Sequence, residues 1–167
     1  GEGLKREQRI SDASLQTIES KAMRRLFFAE RQTAKIPGIN PELAQEVRSA
    51  GIIGAGTMGR GIAMAFANSG IPVTLLDVSQ SAVEKGLQAI RSEYEQRVKR
   101  GRMDAAEAAE RTGMIGASVD YADLAQADVV IEAVFESMAL KKSIFEKLDG
   151  VCKPGAILAS NTSTLDL

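Results

Sequence analysis

The sequence predicts an α/β fold with a parallel sheet, and three observations lead to this prediction. Patterns typical of strands and helices alternate from residue 48 to the end of the chain, an order that builds parallel sheets with right-handed crossovers. The run Asp128–Val134 is almost continuously apolar, as expected of a parallel strand covered on both faces. A glycine-rich turn at Gly54–Gly59 joins an apolar run to an apolar helical pattern.

This turn has the spacing of a dinucleotide fingerprint. Gly54 allows the tight turn from strand to helix, Gly56 lets a pyrophosphate lie against the backbone, and Gly59 permits close packing of the helix. Thr57 opens that helix, whose free N–H groups and partial positive charge attract phosphates. Asp77 ends the next apolar run, where its carboxylate would accept hydrogen bonds from a ribose diol and repel a 2′-phosphate. The pattern therefore predicts a Rossmann-type doubly wound sheet that binds NAD rather than NADP.

The elements around the turn follow from their own patterns. Apolar residues at helical spacing predict a helix over Thr57–Asn68, with Gly70 as its C-terminal cap. Ser79 is a suitable N-cap for a long helix that ends near Lys99. The segment Asp104–Arg111 is rich in alanine and glutamate and predicts a second helix that folds back on the first. A minimal Rossmann unit does not need this helical hairpin insertion.

The remainder of the chain continues the alternation. Short strands are predicted over Met114–Val119 and Ala156–Ser160, and Tyr121–Gln126 predicts a short helix or turn. A helix after the Asp128–Val134 run is marked by four apolar residues at helical spacing, Leu140, Ile144, Phe145 and Leu148.

Residues 1–46 have a different pattern. Apolar residues at spacings of three and four mark one face of a single helix, and Ile36–Pro41 contains the proline and glycine residues of a linker. We expect residues 1–46 to be a linker helix and residues 47–167 to be a nucleotide-binding domain. Because the chain starts with glycine and ends just after a strand-like run, we also expect a piece of a longer protein. The apolar residues that mark the predicted helix face in residues 1–46 are Leu15, Ile18, Ala22, Leu26 and Ala29.

Composition excludes several classes of function. The net charge of −1 argues against a nucleic-acid-binding surface, and no apolar stretch is long enough to predict a membrane span. A single cysteine, Cys152, rules out an internal disulfide framework, and no residue is assigned to a metal site. The chain has no histidine, although histidine is the usual general base in alcohol oxidation.

Three clusters of residues should meet at the carboxyl edge of the sheet, where ligands bind in such folds. They are the glycine turn with Asp77, the segment Val134-Phe135-Glu136 with Lys141, and the polar run Asn161–Thr164. Taken separately, the second could be a surface ion pair and the third a turn that caps a helix. Their common position favours a functional role.

On these residues, the segment 48–167 resembles the NAD-binding domain of the 3-hydroxyacyl-CoA dehydrogenases. The matching motifs are Gly54–Gly59, Asp77, Val130–Glu136 with Lys141-Lys142, and Ala159–Leu165. The resemblance implies oxidation of an (S)-3-hydroxyacyl-CoA to a 3-oxoacyl-CoA with NAD as hydride acceptor. The substrate partner implied is an acyl-CoA, part of which would be held by the helical hairpin insertion.

The resemblance also implies roles for single residues. Met58 and Gly59 would lie under the pyrophosphate, and Lys141 would reach the cofactor. Ser163 would be catalytic, touching both the nicotinamide and the substrate hydroxyl, while Asn161 supports its loop. In the family a histidine–glutamate pair follows the serine segment, so we expect residues 1–167 alone to be inactive. The nicotinamide side of the cleft would be lined by Val134, Phe135 and Glu136.

The segment Phe27–Arg31, followed by Ile36–Gly38, resembles the linker that follows an enoyl-CoA hydratase/isomerase domain in multifunctional enzymes of fatty-acid β-oxidation. The resemblance implies a parent protein with a preceding hydratase domain, a lyase, and a following helical domain. It implies a cytoplasmic location in a bacterium, and a peroxisomal or mitochondrial one in a eukaryote.

Two other interpretations remain open from the sequence. One is a different NAD(P)-dependent dehydrogenase with a Gly-x-Gly-x-Met-Gly turn, although Asp77-Val78-Ser79 lacks the basic residues typical of NADP sites. The other is a non-catalytic nucleotide-sensing module, for which the missing histidine would be natural.

Overall fold

The computed structural model describes residues 1–33, 38 and 44–165. It divides the chain into two compact units, Gly1–Gln45 and Glu46–Leu167. Apart from Gly38, the predicted linker at 36–41 lies outside the described residues. Across these described parts, no helix has both the length and the apolar character needed to cross a membrane.

The first unit contains two helices where the sequence predicted one, so that prediction was wrong. Helix α1 spans Glu2–Gln16 and helix α2 spans Ile18–Thr33. Thr17 between them is extended, with ψ at 154°. Its hydroxyl donates to the Ser14 carbonyl and accepts from the Ser20 amide, so one side chain serves the end of α1 and the start of α2. No residue of either helix is buried.

The second unit is a five-stranded parallel sheet in the order β3-β2-β1-β4-β5, which confirms the predicted Rossmann-type fold. Strands β1 and β2 span Ala50–Ile53 and Val73–Leu76, and helix α3 between them spans Thr57–Asn68, the bounds that the sequence predicted. The remaining strands are β3, Ile115–Ser118, β4, Val129–Glu132, and β5, Ile157–Ser160.

The helical insertion lies between β2 and β3. Helix α4 spans Gln80–Lys99 and helix α5 spans Ala105–Gly113, and the two helices pack against each other. Ser79 caps α4 by accepting a hydrogen bond from the Ala82 amide, as predicted, and Asp104 caps α5. A short 3₁₀ helix, Tyr121–Leu124, precedes β4, and helix α6, Met138–Val151, connects β4 to β5.

Two apolar cores cover the faces of the sheet. One packs α3, α4 and α5 against the first strands, and its buried members include Ile52, Leu75, Ile90 and Tyr94. The other packs α6 and the 3₁₀ helix against the opposite face and includes Ile53, Leu124, Val130 and Leu148. Because both faces are covered, polar ligands can reach the sheet only at its edges, and the carboxyl edge carries the glycine turn.

Candidate functional site

The glycine turn after β1 is built so closely that side chains are excluded at two of its positions. Gly54 has φ at +104°, and a Cβ there would lie 2.7 Å from the Ala133 carbonyl oxygen. A Cβ on Gly59 would lie 1.7 Å from the Gly54 carbonyl oxygen. Such contacts would force the backbone apart, so the approach of α3 to β1 and β4 depends on both glycines.

The N-terminal end of α3 opens onto free space. Gly56 is exposed, and a Cβ placed on it would meet no protein atom within 4 Å. Gly56 is also the N-cap, and no side chain caps the helix there. Thr57 and Met58 in the first turn are exposed as well. The uncapped amides and the helix dipole therefore make a site for an anion such as a pyrophosphate.

Asp77 stands at the end of β2, with its carboxylate held by backbone amides. The Ala55 amide donates to Oδ2 at 2.7 Å, and the Val78 amide donates to Oδ1 at 2.7 Å. These bonds orient the carboxylate and at the same time pin the glycine turn. A carboxylate has further lone pairs for hydrogen-bond donors, so Asp77 can also accept from ribose hydroxyls.

Two clefts meet at the carboxyl edge of the sheet. The first, of about 690 Å³, extends from the glycine turn past Asp77 and Val78 towards Tyr121 and α6. The second, of about 340 Å³, is lined by Met58, Glu136 and the loop after β5, which includes Asn161, Thr162 and Ser163. Both clefts are lined by Ala133 and Val134, and we call them together the cofactor groove.

The groove lies where the strand order reverses. From β1 the chain proceeds to β2 and β3 on one side, and later to β4 and β5 on the other. This switch point is where open α/β sheets bind their ligands. The structure therefore brings together nine predicted site residues in one groove. The first cleft is lined by Gly54, Gly56, Asp77, Val134 and Phe135, and the second by Met58, Glu136, Asn161, Ser163 and again Val134.

Three predicted residues lie elsewhere. Gly59 is buried beneath the turn, and Thr57 lines a separate small cleft with Arg60 and Arg97. Lys141 is buried, with 1% of its surface exposed. The ammonium group of Lys141 is therefore surrounded by protein atoms in this structure. That Lys141 reaches the cofactor stays a prediction.

The partner of Lys141 is Glu132, the last residue of β4, which is fully buried. Lys141 Nζ lies 2.9 Å and 2.8 Å from the two carboxylate oxygens of Glu132. The Ser160 hydroxyl and the Val134 amide each donate to the same carboxylate at 2.7 Å. Burial alone would raise the pKa of Glu132, but these hydrogen bonds outweigh it and hold the pKa below its usual value.

Sequence reasoning missed Glu132 and Ser160 as members of the site. Glu132 is the one charged residue within an otherwise apolar parallel strand, and this was the available signal, because a charge there needs a partner. Tyr121 and Lys147, which line the first cleft, were also missed. Burial raises the pKa of the Tyr121 hydroxyl and the negative charge of Asp77 adds to this.

The groove fits an extended dinucleotide by its chemistry. An anion site at α3 lies between a carboxylate suited to a ribose diol and a second cleft with polar side chains. Val78 and Phe135 are 92% and 81% exposed and offer apolar surface for flat rings. This order of groups matches adenosine, pyrophosphate and nicotinamide riboside along one axis.

Comparison with known proteins supports NAD as the ligand of this domain. The family described as 3-hydroxyacyl-CoA dehydrogenase, NAD binding domain, matches residues 49–167. The (S)-3-hydroxybutyryl-CoA dehydrogenase PaaH1 from Ralstonia eutropha has a similar structure, with a TM-score of 0.70 and 40% sequence identity. That similarity covers 72% of this chain and 42% of the Ralstonia chain.

Two curated relatives are longer proteins. The peroxisomal fatty acid beta-oxidation multifunctional protein MFP2 from Arabidopsis thaliana is 35% identical over 167 residues, covering 99% of this chain and 23% of the relative. The fatty acid oxidation complex subunit alpha from Pseudomonas putida is 35% identical over 142 residues, covering 85% of this chain and 20% of the relative. The chain thus spans about a quarter or less of the length of these relatives.

Proposed function

The chain belongs to the 3-hydroxyacyl-CoA dehydrogenase family through its NAD-binding domain, and we propose that it holds NAD along the cofactor groove for oxidation of an (S)-3-hydroxyacyl-CoA. The observation that carries the proposal is the continuity of the groove. It runs from Asp77, past the uncapped start of α3, to the loop that contains Ser163.

The adenosine half of the cofactor depends on Asp77 and α3 in this proposal. Asp77 accepts the ribose hydroxyls while the Ala55 and Val78 amides keep its carboxylate in place. The same negative charge disfavours a 2′-phosphate, so NAD is preferred over NADP. The first-turn amides of α3 bind the pyrophosphate.

The nicotinamide half depends on the second cleft. Val134 provides its apolar wall, and Glu136 and Asn161 provide polar groups near the ring and its ribose. Phe135, in the adjoining first cleft, adds exposed apolar surface beside Val134. Bound NAD would supply the hydride acceptor for the carbon that carries the substrate hydroxyl. Ser163 is exposed in this cleft, so its hydroxyl is available to hydrogen-bond the substrate oxygen and orient it.

The 167 residues contain no histidine, the usual general base in alcohol oxidation. We therefore expect this chain to bind the cofactor without oxidising substrate. Purified residues 1–167 mixed with NAD and (S)-3-hydroxybutyryl-CoA should give no increase in absorbance at the NADH band. Formation of NADH that depends on Ser163 would contradict this expectation.

The rest of the proposal concerns the whole protein. We propose that residues 1–46 form a linker after a hydratase/isomerase domain, that a helical domain follows, and that the α4–α5 insertion contacts the acyl-CoA. Support comes from the names of the relatives, a multifunctional protein and a subunit of a fatty acid oxidation complex. By the same relatives, we propose a peroxisomal location in a eukaryote and a cytoplasmic one in a bacterium.

Calorimetric titration with NAD, NADH and NADP tests the proposal. NADH should bind more tightly than NADP, and Asp77→Asn should weaken NADH by about tenfold, the value of one charge-assisted hydrogen bond. Asparagine keeps an acceptor for the Ala55 amide, so the variant separates cofactor binding from the pinning of the turn. Asp149→Asn, at an exposed position of α6, is the matched control. A folded protein that binds none of the three nucleotides, or prefers NADP, would refute the proposal.

A further inference from the structure

The α4–α5 insertion contains a cavity of its own, separate from the cofactor groove. The cleft between the two helices has a volume of about 750 Å³, and none of its lining residues lines either part of the cofactor groove. Sites for small molecules typically measure roughly 300–1,000 Å³, so this volume suits a ligand. We call this cavity the insertion cleft, and its apolar lining consists of Tyr94, Val98, Ala105, Ala108, Ala109 and Ile115.

The two hydroxyl groups in the lining are already paired within the protein. Tyr94 is 1% exposed, and its hydroxyl donates to Asn68 Oδ1 at 3.0 Å. The Thr112 hydroxyl donates to the Ala108 carbonyl oxygen at 2.7 Å. Since an unpaired buried hydroxyl would be costly, these bonds allow an apolar ligand to cover the floor of the cleft without such a cost.

Three charged side chains of α4 lie along the rim of the cleft. Arg91, Glu95 and Lys99 all line it, and all three are exposed. Their spacing of four residues places them on one side of the helix, with Arg91 and Lys99 about 12 Å apart along its axis. Lys99 is the last residue of α4 and therefore lies at the turn between the two helices, whereas Arg91 lies closer to the sheet.

The end of the cleft at Lys99 has an excess of positive charge. Residues 97–102 include four cationic side chains and no acidic one. Within the described residues, the only ion pair of these four is that of Arg97 with Glu93. Arg91 differs, because Glu93 and Glu95 follow it closely in the chain. An anionic group is therefore attracted to the end at Lys99 more than to the end at Arg91.

We propose that the insertion cleft binds a fatty carboxylate, with its carboxylate at Lys99 and its hydrocarbon chain between α4 and α5 in the direction of Ile115. The position of Glu95 favours a ligand with one anionic end. An acidic helix, with carboxylates along its length, would bring one of them to Glu95, whereas a hydrocarbon chain passes it without repulsion. The inference goes beyond the proposed function, because neither NAD nor the cofactor groove takes part.

The first test is the dependence of affinity on chain length. A fully buried CH₂ group strengthens binding about fourfold. Glu95, Lys99, Ala105 and Ala109 are exposed, so the cleft is open on one side and we expect about half of that free energy. In calorimetric titrations, laurate should bind about fourfold more tightly than decanoate, and decanoate about fourfold more tightly than octanoate. No binding of laurate, or affinities independent of chain length, would overturn the inference.

The position of the ligand can be read from the two tyrosines of the chain. Tyr94 lines the insertion cleft, and Tyr121 lines the first cleft of the cofactor groove. Protein labelled with 3-fluorotyrosine should give two ¹⁹F resonances, which a Tyr121→Phe sample assigns. Laurate should shift the Tyr94 resonance to saturation and leave that of Tyr121 in place. Binding of laurate that shifts neither resonance, or both equally, would place it elsewhere and contradict the inference.

A carboxylate introduced into the cleft should prevent binding. Ala109→Glu places one among the lining residues, and we expect laurate to bind at least tenfold more weakly. Ala106→Glu is the matched control, since Ala106 is an exposed residue of α5 outside the lining. Glutamate is a good helix former, so circular dichroism of both variants should match that of the wild type. Equal laurate affinities in the two folded variants would refute the site.

The orientation of the ligand is tested at the two ends of the cleft. Lys99→Met keeps the apolar stem of the side chain but removes its charge, and it should weaken laurate about threefold, as for loss of an exposed ion pair. Arg91→Met should have a smaller effect. A larger loss in Arg91→Met than in Lys99→Met would contradict the proposed orientation.

Competition distinguishes this site from a site for coenzyme A and from the cofactor groove. Free coenzyme A has no fatty chain to fill the cleft and should not displace laurate, and saturating NADH should leave the affinity for laurate unchanged. Displacement of laurate by free coenzyme A would assign the cleft to that ligand and overturn the inference. Laurate binding is measured without NAD, so failure of the chain to bind NAD would refute the proposed function and leave this inference standing.

Discussion

Strand β4 has a carboxylate–lysine pair at each end, and the two pairs differ in burial and in what they hold. At the amino end, Asp128 pairs with Lys153, and their side chains are 23% and 35% exposed. At the carboxyl end, Glu132 pairs with Lys141, and their side chains are 0% and 1% exposed. We call them the amino-end pair and the carboxyl-end pair.

The amino-end pair anchors the chain where it enters the sheet. Asp128 accepts hydrogen bonds from the Arg48 amide at 2.7 Å and from the Ser49 amide at 3.0 Å. These bonds join the segment before β1 to the start of β4, far along the chain. Ligands of such sheets bind at the opposite edge, so we expect this pair to contribute to stability rather than to ligand binding.

The carboxyl-end pair lies at the edge of the sheet where ligands bind. It lies behind the cofactor groove and holds Val134, which lines the groove, through the amide that donates to Glu132. The comparison teaches that similar chemistry on one strand can serve structure at one end and a site at the other. The distinction follows from the direction of parallel strands, whose carboxyl ends face the ligand.

The largest expected effect is that of breaking the carboxyl-end pair from one side. Lys141→Met leaves the Glu132 carboxylate buried without its cation, and we expect a loss of about 3–5 kcal/mol in the free energy of unfolding. Urea denaturation followed by circular dichroism measures it. Lys142→Met should change the free energy by no more than about 0.5 kcal/mol. A Lys141→Met variant as stable as Lys142→Met would show that the pair is not buried in solution.

A smaller effect is expected from the amino-end pair. Asp128→Asn removes the charge that attracts Lys153 but keeps an oxygen for the Arg48 and Ser49 amides. Because this pair is partly exposed to water, Asp128→Asn should lower the melting temperature of the protein by less than Lys141→Met does. Scanning calorimetry of both variants in one buffer compares them. The reverse order of melting temperatures would invalidate the contrast in burial.

The amino-end pair should also give a defined pH dependence. The hydrogen bond from Lys153 and the backbone amides lower the pKa of Asp128 from its ordinary 3.8 to about 2. A depressed pKa in the folded state contributes stability that is present above pH about 4 and is lost as the pH falls towards 2. The difference in urea midpoint between wild type and Asp128→Asn should therefore be constant from pH 7 to 5 and shrink towards pH 3. A difference that grows below pH 4 would contradict the assignment.

The smallest expected effect sharpens the comparison most. Asp128→Asn should leave the affinities for NADH and ADP-ribose unchanged, because its contacts lie at the edge of the sheet opposite to the groove. Titration at a temperature where the variant remains fully folded measures this. A selective loss of NADH affinity in Asp128→Asn would remove the functional distinction between the two ends of β4.

Local patterns predicted much of the fold from the sequence. The bounds of α3 and the cap at Ser79 follow from short-range periodicity and from the preference of serine for the N-cap. The break at Thr17 was missed because the apolar spacing continues across it. A threonine that caps two helices at once has no distinctive periodicity, and only its backbone conformation reveals it.

Part of the candidate site was also predicted from local sequence patterns. Asp77 and the glycine turn belong to one local unit of strand, turn and helix, and the structure places them in one groove. The bond from the Ala55 amide to Asp77 was not foreseen, because it depends on how closely β1 and β2 align. Likewise, Lys141 was expected at the cofactor, and its burial depends on the position of α6 over β4 and β5.

The sequence by itself therefore determined the class of fold, the order of its elements and the glycine turn, since each arises from interactions between residues near one another in the chain. Only the tertiary structure decided which charges meet. The pairing of Glu132 with Ser160 requires the register of β4 on β5, and its pairing with Lys141 requires the docking of α6. Burial then strengthens and fixes these contacts, because charges removed from water must find partners within the protein.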